Sequence, residues 1–297
     1  YMSSSLYEYE RSLLQKAVRR GNENLVEKVV NYLMIVGDQS WLKKRLVIMV
    51  YEECWMYANA LRLDTNIMGQ YKSLAKAVKN KNAAGLASLA FKNTENAKAI
   101  IINDEITNNS IRSVALGIEL QDKFWELIKL ESGYNDNRRS VEIAQKHIKR
   151  ASFPEEKAMF LAAAYLAVKY PVPEVQMIEP HNDPNFPYWI AIDKHTGRGR
   201  EIYIEACKEI NLDAFTGMQI GFYMEGSQCN QLQFSPFWEQ MQTWQFKILG
   251  FTLEQATEKW EKLKPLVIKK TKSTVDSMIQ RIEENQVKDP DQLGLFS

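Results

Sequence analysis

The chain has 297 residues, 38 Lys and Arg against 37 Asp and Glu, and a formal net charge of +1. Hydrophobic residues at 45% and charged residues at 25% are typical of a globular protein, which excludes a disordered, collagen-like or membrane-bundle chain. The balanced charge does not indicate a globally basic nucleic-acid binder, although local basic patches stay open. The longest apolar run, around residues 158–168, is far short of the roughly 20 residues that cross a bilayer. No secretory signal is visible, so we expect a cytoplasmic protein with no membrane partner.

Apolar residues recur at helical spacing along most of the chain, as with Leu13, Leu14, Ala17 and Val18. The strict alternation that is typical of strands is almost absent, so we predict an all-α or predominantly α fold. The predicted helical stretches are residues 7–18, 25–34, 42–54, 67–79, 82–91, 111–130, 138–150, 154–169, 187–195, 199–210, 235–249 and 252–283.

The composition shifts near residue 170, where five prolines lie between Tyr170 and Pro187. Proline lacks a backbone donor and restricts the residue before it, so this stretch is expected to be extended. The sequence after it is rich in aromatic residues, which indicates a second core. We predict a helical domain over residues 1–170, a connector over 171–187, an aromatic-rich helical module over 188–288 and a tail over 289–297.

Charged side chains and glycines alternate in the segment that ends at Arg200. Glycines allow close approach of a phosphate, and basic side chains supply charge, which favours contact with phosphate or the DNA backbone. A second basic stretch, residues 259–272, has six lysines and one acid, and either tracks phosphates or is a solvated helix face. The predicted nucleic-acid or phosphate contacts are Lys194, His195, Arg198, Arg200, Lys269, Lys270 and Lys272.

The same segment has two other interpretations. In one, His195 is a general base that Asp193 orients, although residues two apart on a helix point in different directions. In the other, the segment is a polar helix end that closes at Thr196 or Gly197. His181 and His195 are a weak metal pair, because neither His nor Cys has ligand spacing. We therefore predict no metal and no cofactor.

Paired charges elsewhere give no catalytic pattern. Glu52 and Glu53 are adjacent, so they do not share a helix face as an acid–base dyad, and we interpret them as solvated charge or as acids in the first turn of a helix. Arg19 and Arg20 are interpreted in the same way, as surface charge at a helix end. No Gly-x-Ser-x-Gly elbow is present. The sequence thus does not predict an enzyme.

The last residues carry the most specific pattern. Asp-Pro-Asp at 289–291 ends a helix, and Gln-Leu-Gly-Leu-Phe follows it. This pentapeptide resembles the bacterial sliding-clamp-binding motif. The resemblance implies that Gln292 hydrogen-bonds at the rim of the clamp pocket and that Leu293 lies beside it. It also implies that Leu295 and Phe296 fill the pocket, whereas a tail packed on its own body is the alternative.

A second resemblance covers the first half of the chain. Residues 12–26, the Leu-Lys-Lys-Arg-Leu-Val segment at 42–47 and the Ala-Ala-Ala-Tyr-Leu-Ala run at 162–167 are similar to the helical C-terminal region of clamp-loader-like AAA+ recombination ATPases. In that family this region is the oligomerisation collar. The chain has no Gly-x-x-x-x-Gly-Lys-Ser/Thr loop, so ATP binding through that machinery is not expected.

Together these patterns predict a non-catalytic accessory protein of DNA replication or repair. Its tail would dock on the sliding clamp, and its collar-like body would bind DNA or a replisome partner. Two alternatives stay open. One is a nuclease-like enzyme that uses residues 181–200, and the other is a structural homo-oligomer with no clamp role.

Overall fold

The computed structural model describes residues 7–62, 66–95, 105–179 and 194–286. In these ranges the chain is all-α, as the periodicity predicts, and three isolated β-bridges are the only strand-like pairs. None of the helices in these ranges is long and apolar enough to span a bilayer. The helices are α1 (Glu8–Arg20), α2 (Glu23–Ile35), α3 (Gln39–Glu53), α4 (Ile67–Lys76), α5 (Asn82–Glu95), α6 (Glu105–Glu119), α7 (Gln121–Ile128), α8 (Tyr134–His147), α9 (Pro154–Lys169), α10 (Gly197–Glu209), α11 (Ala214–Gly226), α12 (Pro236–Ile248) and α13 (Leu253–Glu284).

Helix α9 is the centre of the first nine helices. Its first residue is Pro154, whose missing N–H costs nothing there, and Glu156 accepts the backbone N–H of Phe153 to close the first turn. Residues 158–168 are nearly all buried, because helices α5, α6 and α8 pack around them. Small alanine side chains in this run let neighbouring helices come close. The apolar run in the sequence is therefore the core of a bundle.

Three extended segments meet beside this bundle. Residues 77–80, which follow α4, hydrogen-bond to the proline-containing segment on one side, where Val78 N–H donates to Gln176 O at 2.8 Å. On the other side Lys79 N–H donates to Gln231 O at 2.8 Å, which joins the connection between α11 and α12. The connector predicted over residues 171–187 is described as far as residue 179, and its described part is extended. One hydrophobic cluster contains buried residues from Leu13 to Ile282.

The structure corrects three helix predictions. The stretch predicted over 111–130 is interrupted at Leu120, whose backbone leaves the helical region, so α6 and α7 are separate. The stretch predicted over 67–79 ends at Lys76, because residues 77–80 are extended. Of the helix predicted over 187–195, residues 187–193 lie outside the described residues, and Lys194 and His195 form a turn.

Helix α11 was not predicted, because Gly217 and Gly221 lower helix propensity. In the structure these glycines let α10 approach closely. A Cβ atom at Gly217 would lie 2.1 Å from Cys207 Sγ, and one at Gly221 would lie 2.5 Å from the Tyr203 hydroxyl. Asp213 caps the helix by accepting the Thr216 N–H at 2.8 Å. Packing between α10 and α11 thus compensates for the weak local preference.

Candidate functional site

The basic segment predicted to contact phosphate forms a turn and the first residues of α10. Thr196 Oγ1 accepts the backbone N–H of Gly199 at 3.0 Å, so Thr196 begins the helix. Thr196 therefore caps the helix that follows it, and whether a helix precedes it is not tested, because residues 187–193 lie outside the described residues. Asp193 and His181 lie outside them as well, so neither the Asp193–His195 pair nor the His181–His195 pair is tested.

The turn rests on α11, which sequence analysis missed. The Lys194 ammonium lies 4.0 Å from the centre of the Phe222 ring and donates to Gln219 Oε1 at 2.9 Å. His195 meets the same ring edge-on, with 5.5 Å between ring centres. The structure therefore gives Lys194 and His195 an aromatic neighbour that the sequence pattern did not show.

Two arginines continue this surface along α10. Arg200 Nη1 donates to the carbonyl oxygen of His195 at 3.1 Å, which holds the guanidinium beside the turn. Arg198 is paired with Glu201 at 3.1 Å, and both side chains are largely exposed. The segment from Lys194 to Arg200 thus carries several cations close together on the protein surface.

Of the predicted lysines of α13, Lys270 contacts α10. Lys270 Nζ is 2.6 Å from a Glu209 carboxylate oxygen and 3.5 Å from one of Glu205, and the hydrogen bond to Glu209 raises the pKa of Lys270. Lys269 and Lys272 are exposed on the same helix. Two carboxylates of α10 thus balance the charge of Lys270, which weakens the phosphate-tracking interpretation at this lysine.

The residues of the predicted clamp-binding motif, Gln292, Leu293, Leu295 and Phe296, lie outside the described residues. The last described residues before them, at the end of α13, contact α2. Lys28 Nζ lies 2.5 Å from Glu283 Oε1, and Asn31 donates to the Gln286 side chain at 2.9 Å. The side chain of Gln286 also donates to the Lys28 carbonyl oxygen at 3.1 Å. Gln286, the last described residue, is thereby held against α2.

A second group of charged residues is buried between helices, and sequence analysis assigned its members to the surface. We call it the ion cluster, and it consists of Arg19, Arg20, Glu52, Glu53, Lys81 and Glu225. At its centre Arg19 donates to Glu53 at 2.7 Å, to Glu225 at 2.7 Å and to Glu52 at 3.0 Å. The interpretation of Arg19, Arg20 and the two glutamates as solvated charge is therefore wrong.

The rest of the ion cluster surrounds this centre. Arg20 lies 2.8 Å from Glu225, and Lys81 Nζ donates to the second oxygen of Glu53 at 3.1 Å. The Lys81 and Glu53 side chains are each 1% exposed. Glu52 also contacts Arg45 at 3.0 Å, and Arg45 is itself paired with Glu156 at 2.8 Å. The charges of the cluster therefore all have partners of opposite sign, as buried charges require.

The pKa values show how strongly these charges are coupled. Burial alone would raise the pKa of Glu53, but the attraction of Arg19 and Lys81 outweighs it and lowers the pKa to about 2. Burial alone would lower the pKa of Arg19, but the carboxylates of Glu225, Glu53 and Glu52 raise it above the ordinary value. A carboxylate that holds its charge so firmly is a poor general base at neutral pH. The ion cluster therefore joins helices and gives no sign of acid–base chemistry.

A signal in the sequence could have found the ion cluster. Glu53 follows Leu46 by seven residues and Val50 by three, so it lies on the apolar face of α3. Arg20 has the same relationship to Leu13 and Ala17 on α1. A charged residue at a core position of a helix predicts a buried partner of opposite charge.

The remaining reactive groups of the described ranges show no metal cluster and no activated thiol among Cys54 and Cys207. Among the described residues no three His, Cys, Asp or Glu side chains are grouped as metal ligands. Burial raises the pKa of the Cys54 thiol and the Cys207 thiol to about 11, so both are protonated at neutral pH. Comparisons with protein-family models, with curated proteins and with solved structures give no significant match.

Proposed function

We propose that this chain is a non-catalytic accessory protein of DNA replication or repair that docks on the bacterial sliding clamp through residues 292–296. The observation that carries the proposal is the Gln-Leu-Gly-Leu-Phe pattern, which has the polar and apolar residues of the clamp-binding motif in order. Leu and Phe side chains each gain about 1.5–3 kcal/mol when they are fully buried, so they supply the affinity of such a short motif.

The anchored end of α13 supports a tether. Six residue steps separate Gln286, held by Lys28 and Asn31, from Gln292. An extended chain of that length spans at most about 20 Å. A motif on so short a link would keep the helical body close to the clamp, which raises the effective concentration of the body at DNA.

The helical body is proposed to contact DNA or a replisome partner. The segment from Lys194 to Arg200 supplies cations on the surface that DNA phosphates can reach. The Lys81 and Glu53 charges of the ion cluster are buried and paired with each other, so they are not accessible to DNA. An all-helical body agrees with a collar of the clamp-loader-like ATPases, and that resemblance stays part of the proposal. Oligomer formation through the first half is likewise a proposal.

Binding to a purified bacterial sliding clamp tests the docking. We expect isothermal titration calorimetry to detect binding of the full chain and to lose it when residues 292–296 are deleted. Leu295→Ala and Phe296→Ala should each weaken binding by at least tenfold, because each removes a large apolar group from the pocket. The control is Leu130→Ala, which removes a leucine that is 81% exposed on the body and should leave affinity unchanged. Equal affinity of the full and shortened chains would refute the docking.

A further inference from the structure

Helix α11 presents two phenylalanines to solvent on one face. Phe215 is 59% exposed and Phe222 is 37% exposed. They are seven residues apart, which is two helical turns, so they lie on the same side of the helix about 10 Å apart along its axis. The opposite side of α11 is buried through Gly217, Ile220 and Gly221. The two rings are therefore a solvent-facing strip on a helix whose other face is fixed to the body.

Cations surround one end of this strip. The Lys194 ammonium lies over the Phe222 ring at 4.0 Å, and the His195 ring meets it edge-on. The Arg200 guanidinium is held beside the same turn by its hydrogen bond to the His195 carbonyl. We define the α11 strip as Phe215, Phe222, Lys194, His195 and Arg200.

Carboxylates near the strip have partners of their own. Glu201 pairs with Arg198 at 3.1 Å, and Asp213 accepts the N–H of Thr216 at the start of α11. Lys194 and Arg200 thus place two positive charges at the Phe222 end of the strip. A purely apolar partner would have to remove these charges from water, which is costly.

Exposed rings beside cations are the combination that binds single-stranded nucleic acid. Bases stack on the rings, and lysine and arginine contact the phosphates between them. In a duplex the base faces are already stacked inside the helix and are not open to a side chain. We propose that the α11 strip binds single-stranded DNA, with bases on Phe222 and Phe215 and phosphates at Lys194 and Arg200. This inference rests on the DNA-contact part of the proposed function and names the form of DNA that is bound.

Fluorescence anisotropy with a labelled oligo-dT of about 20 nucleotides tests the α11 strip in the full chain. We expect binding that weakens as salt rises, with a slope of log K against log [salt] of about −0.7 for each phosphate contact. Phe222→Leu keeps an apolar side chain but loses the flat ring, so affinity should fall by at least fivefold, and further when it is combined with Phe215→Leu. Arg200→Gln should weaken binding and also reduce the salt slope by about 0.7.

The matched control is Phe234→Leu, which changes a phenylalanine that is 78% exposed between α11 and α12 and lies outside the strip. It should bind oligo-dT like the unchanged chain. Circular dichroism melting should confirm that all variants are folded. No binding of oligo-dT, tighter binding of a duplex of the same length, or equal effects of Phe222→Leu and Phe234→Leu would overturn the inference.

Clamp binding is measured on the same variants, so the two proposals fail separately. Phe222→Leu should bind the sliding clamp with unchanged affinity, and deletion of residues 292–296 should leave oligo-dT binding unchanged. If the unchanged chain binds the clamp but not oligo-dT, the inference about the α11 strip fails while the docking proposal stands. In a competition measurement, unlabelled single-stranded DNA should displace the labelled oligo-dT more effectively than an apolar peptide does. If the peptide displaces oligo-dT more effectively than the DNA, the α11 strip is not a single-stranded DNA site.

Discussion

Arg19 and Glu225 lie 206 positions apart in the sequence, yet their side chains are joined by a hydrogen bond of 2.7 Å in the interior. Arg19 lies in the last turn of α1, and Glu225 lies in the last turn of α11. The same guanidinium also holds Glu53 on α3, so one side chain connects three helices. Because charges in the interior are not screened by water, the contacts of Arg19 with Glu225 and with Glu53 depend on each other.

We expect Arg19→Met to be strongly destabilising. It would leave Glu53 and Glu225 buried with less positive charge around them, and breaking a buried pair in this way costs about 3–5 kcal/mol. Urea denaturation at neutral pH measures the change. Arg138→Met is the control, because Arg138 pairs with Glu142 at the surface, where such a pair contributes at most about 1 kcal/mol. Similar losses in both variants would show that the ion cluster does not stabilise the fold.

Stability should fall in mild acid because of His147. Burial, together with the smaller effect of the positive charges of Arg150 and Lys146, lowers the pKa of His147 to about 4. The neutral ring accepts the Arg150 Nε–H at 3.1 Å, so the folded state disfavours protonation. Below the ordinary pKa of 6.5 the unfolded chain takes up a proton that the folded chain refuses, and the free energy of unfolding decreases as pH falls from 6.5 towards 4.

His147→Gln should remove this pH dependence. Urea denaturation at pH values on both sides of about 6.5 would show a smaller decrease in the variant than in the unchanged chain. A second decrease, which both chains share, is expected from Glu53 as pH falls from its ordinary 4.5 towards 2, because its lowered pKa stabilises the fold above that range. If His147→Gln and the unchanged chain lose stability equally near pH 5, His147 is not the responsible group.

Gly85 is expected to tolerate no side chain. A Cβ atom there would lie 2.3 Å from the backbone N of Trp238, where α5 crosses the first turn of α12. Gly85→Ala should therefore push the two helices apart and lower stability by about 1–3 kcal/mol or more. Gly197→Ala is the matched control, because nothing lies within 4 Å of a Cβ atom at that position. It should be neutral or stabilising by up to about 1 kcal/mol in thermal melts.

Lys79 should be required for the end of α4. Its buried ammonium donates to the carbonyl oxygens of Leu74 at 3.0 Å and Ala75 at 2.9 Å, which close the last turn of the helix. Lys79→Met fills a similar volume but removes this donor from the Leu74 carbonyl and leaves the Ala75 carbonyl with the Asn230 side-chain amide at 3.1 Å, so we expect a loss of about 1–3 kcal/mol. Lys43→Met, at an exposed position, should change little. A melting temperature of Lys79→Met equal to that of Lys43→Met would contradict this role.

The sequence predicted the helices whose signals are local. Pro154 at the start of α9 and the apolar run behind it gave the bounds Pro154–Lys169 that the structure shows. The basic turn at Lys194–Arg200 was also visible, because charge and glycine content can be read directly. What the sequence did not show is the Phe222 ring under that turn. Its helix, α11, contains Gly217 and Gly221, which lower helix propensity and pack closely against Cys207 and Tyr203.

The sequence by itself determined an all-helical chain with balanced charge, because helical periodicity and composition are properties of neighbouring residues. Only the tertiary structure decided which charges are buried. Arg19 and Glu53 lie on separate helices and Glu225 lies on a third, so no pattern of neighbouring residues predicts that these side chains are in contact. Whether a charged side chain faces water or a partner depends on how distant helices pack, and that packing is set by the whole core.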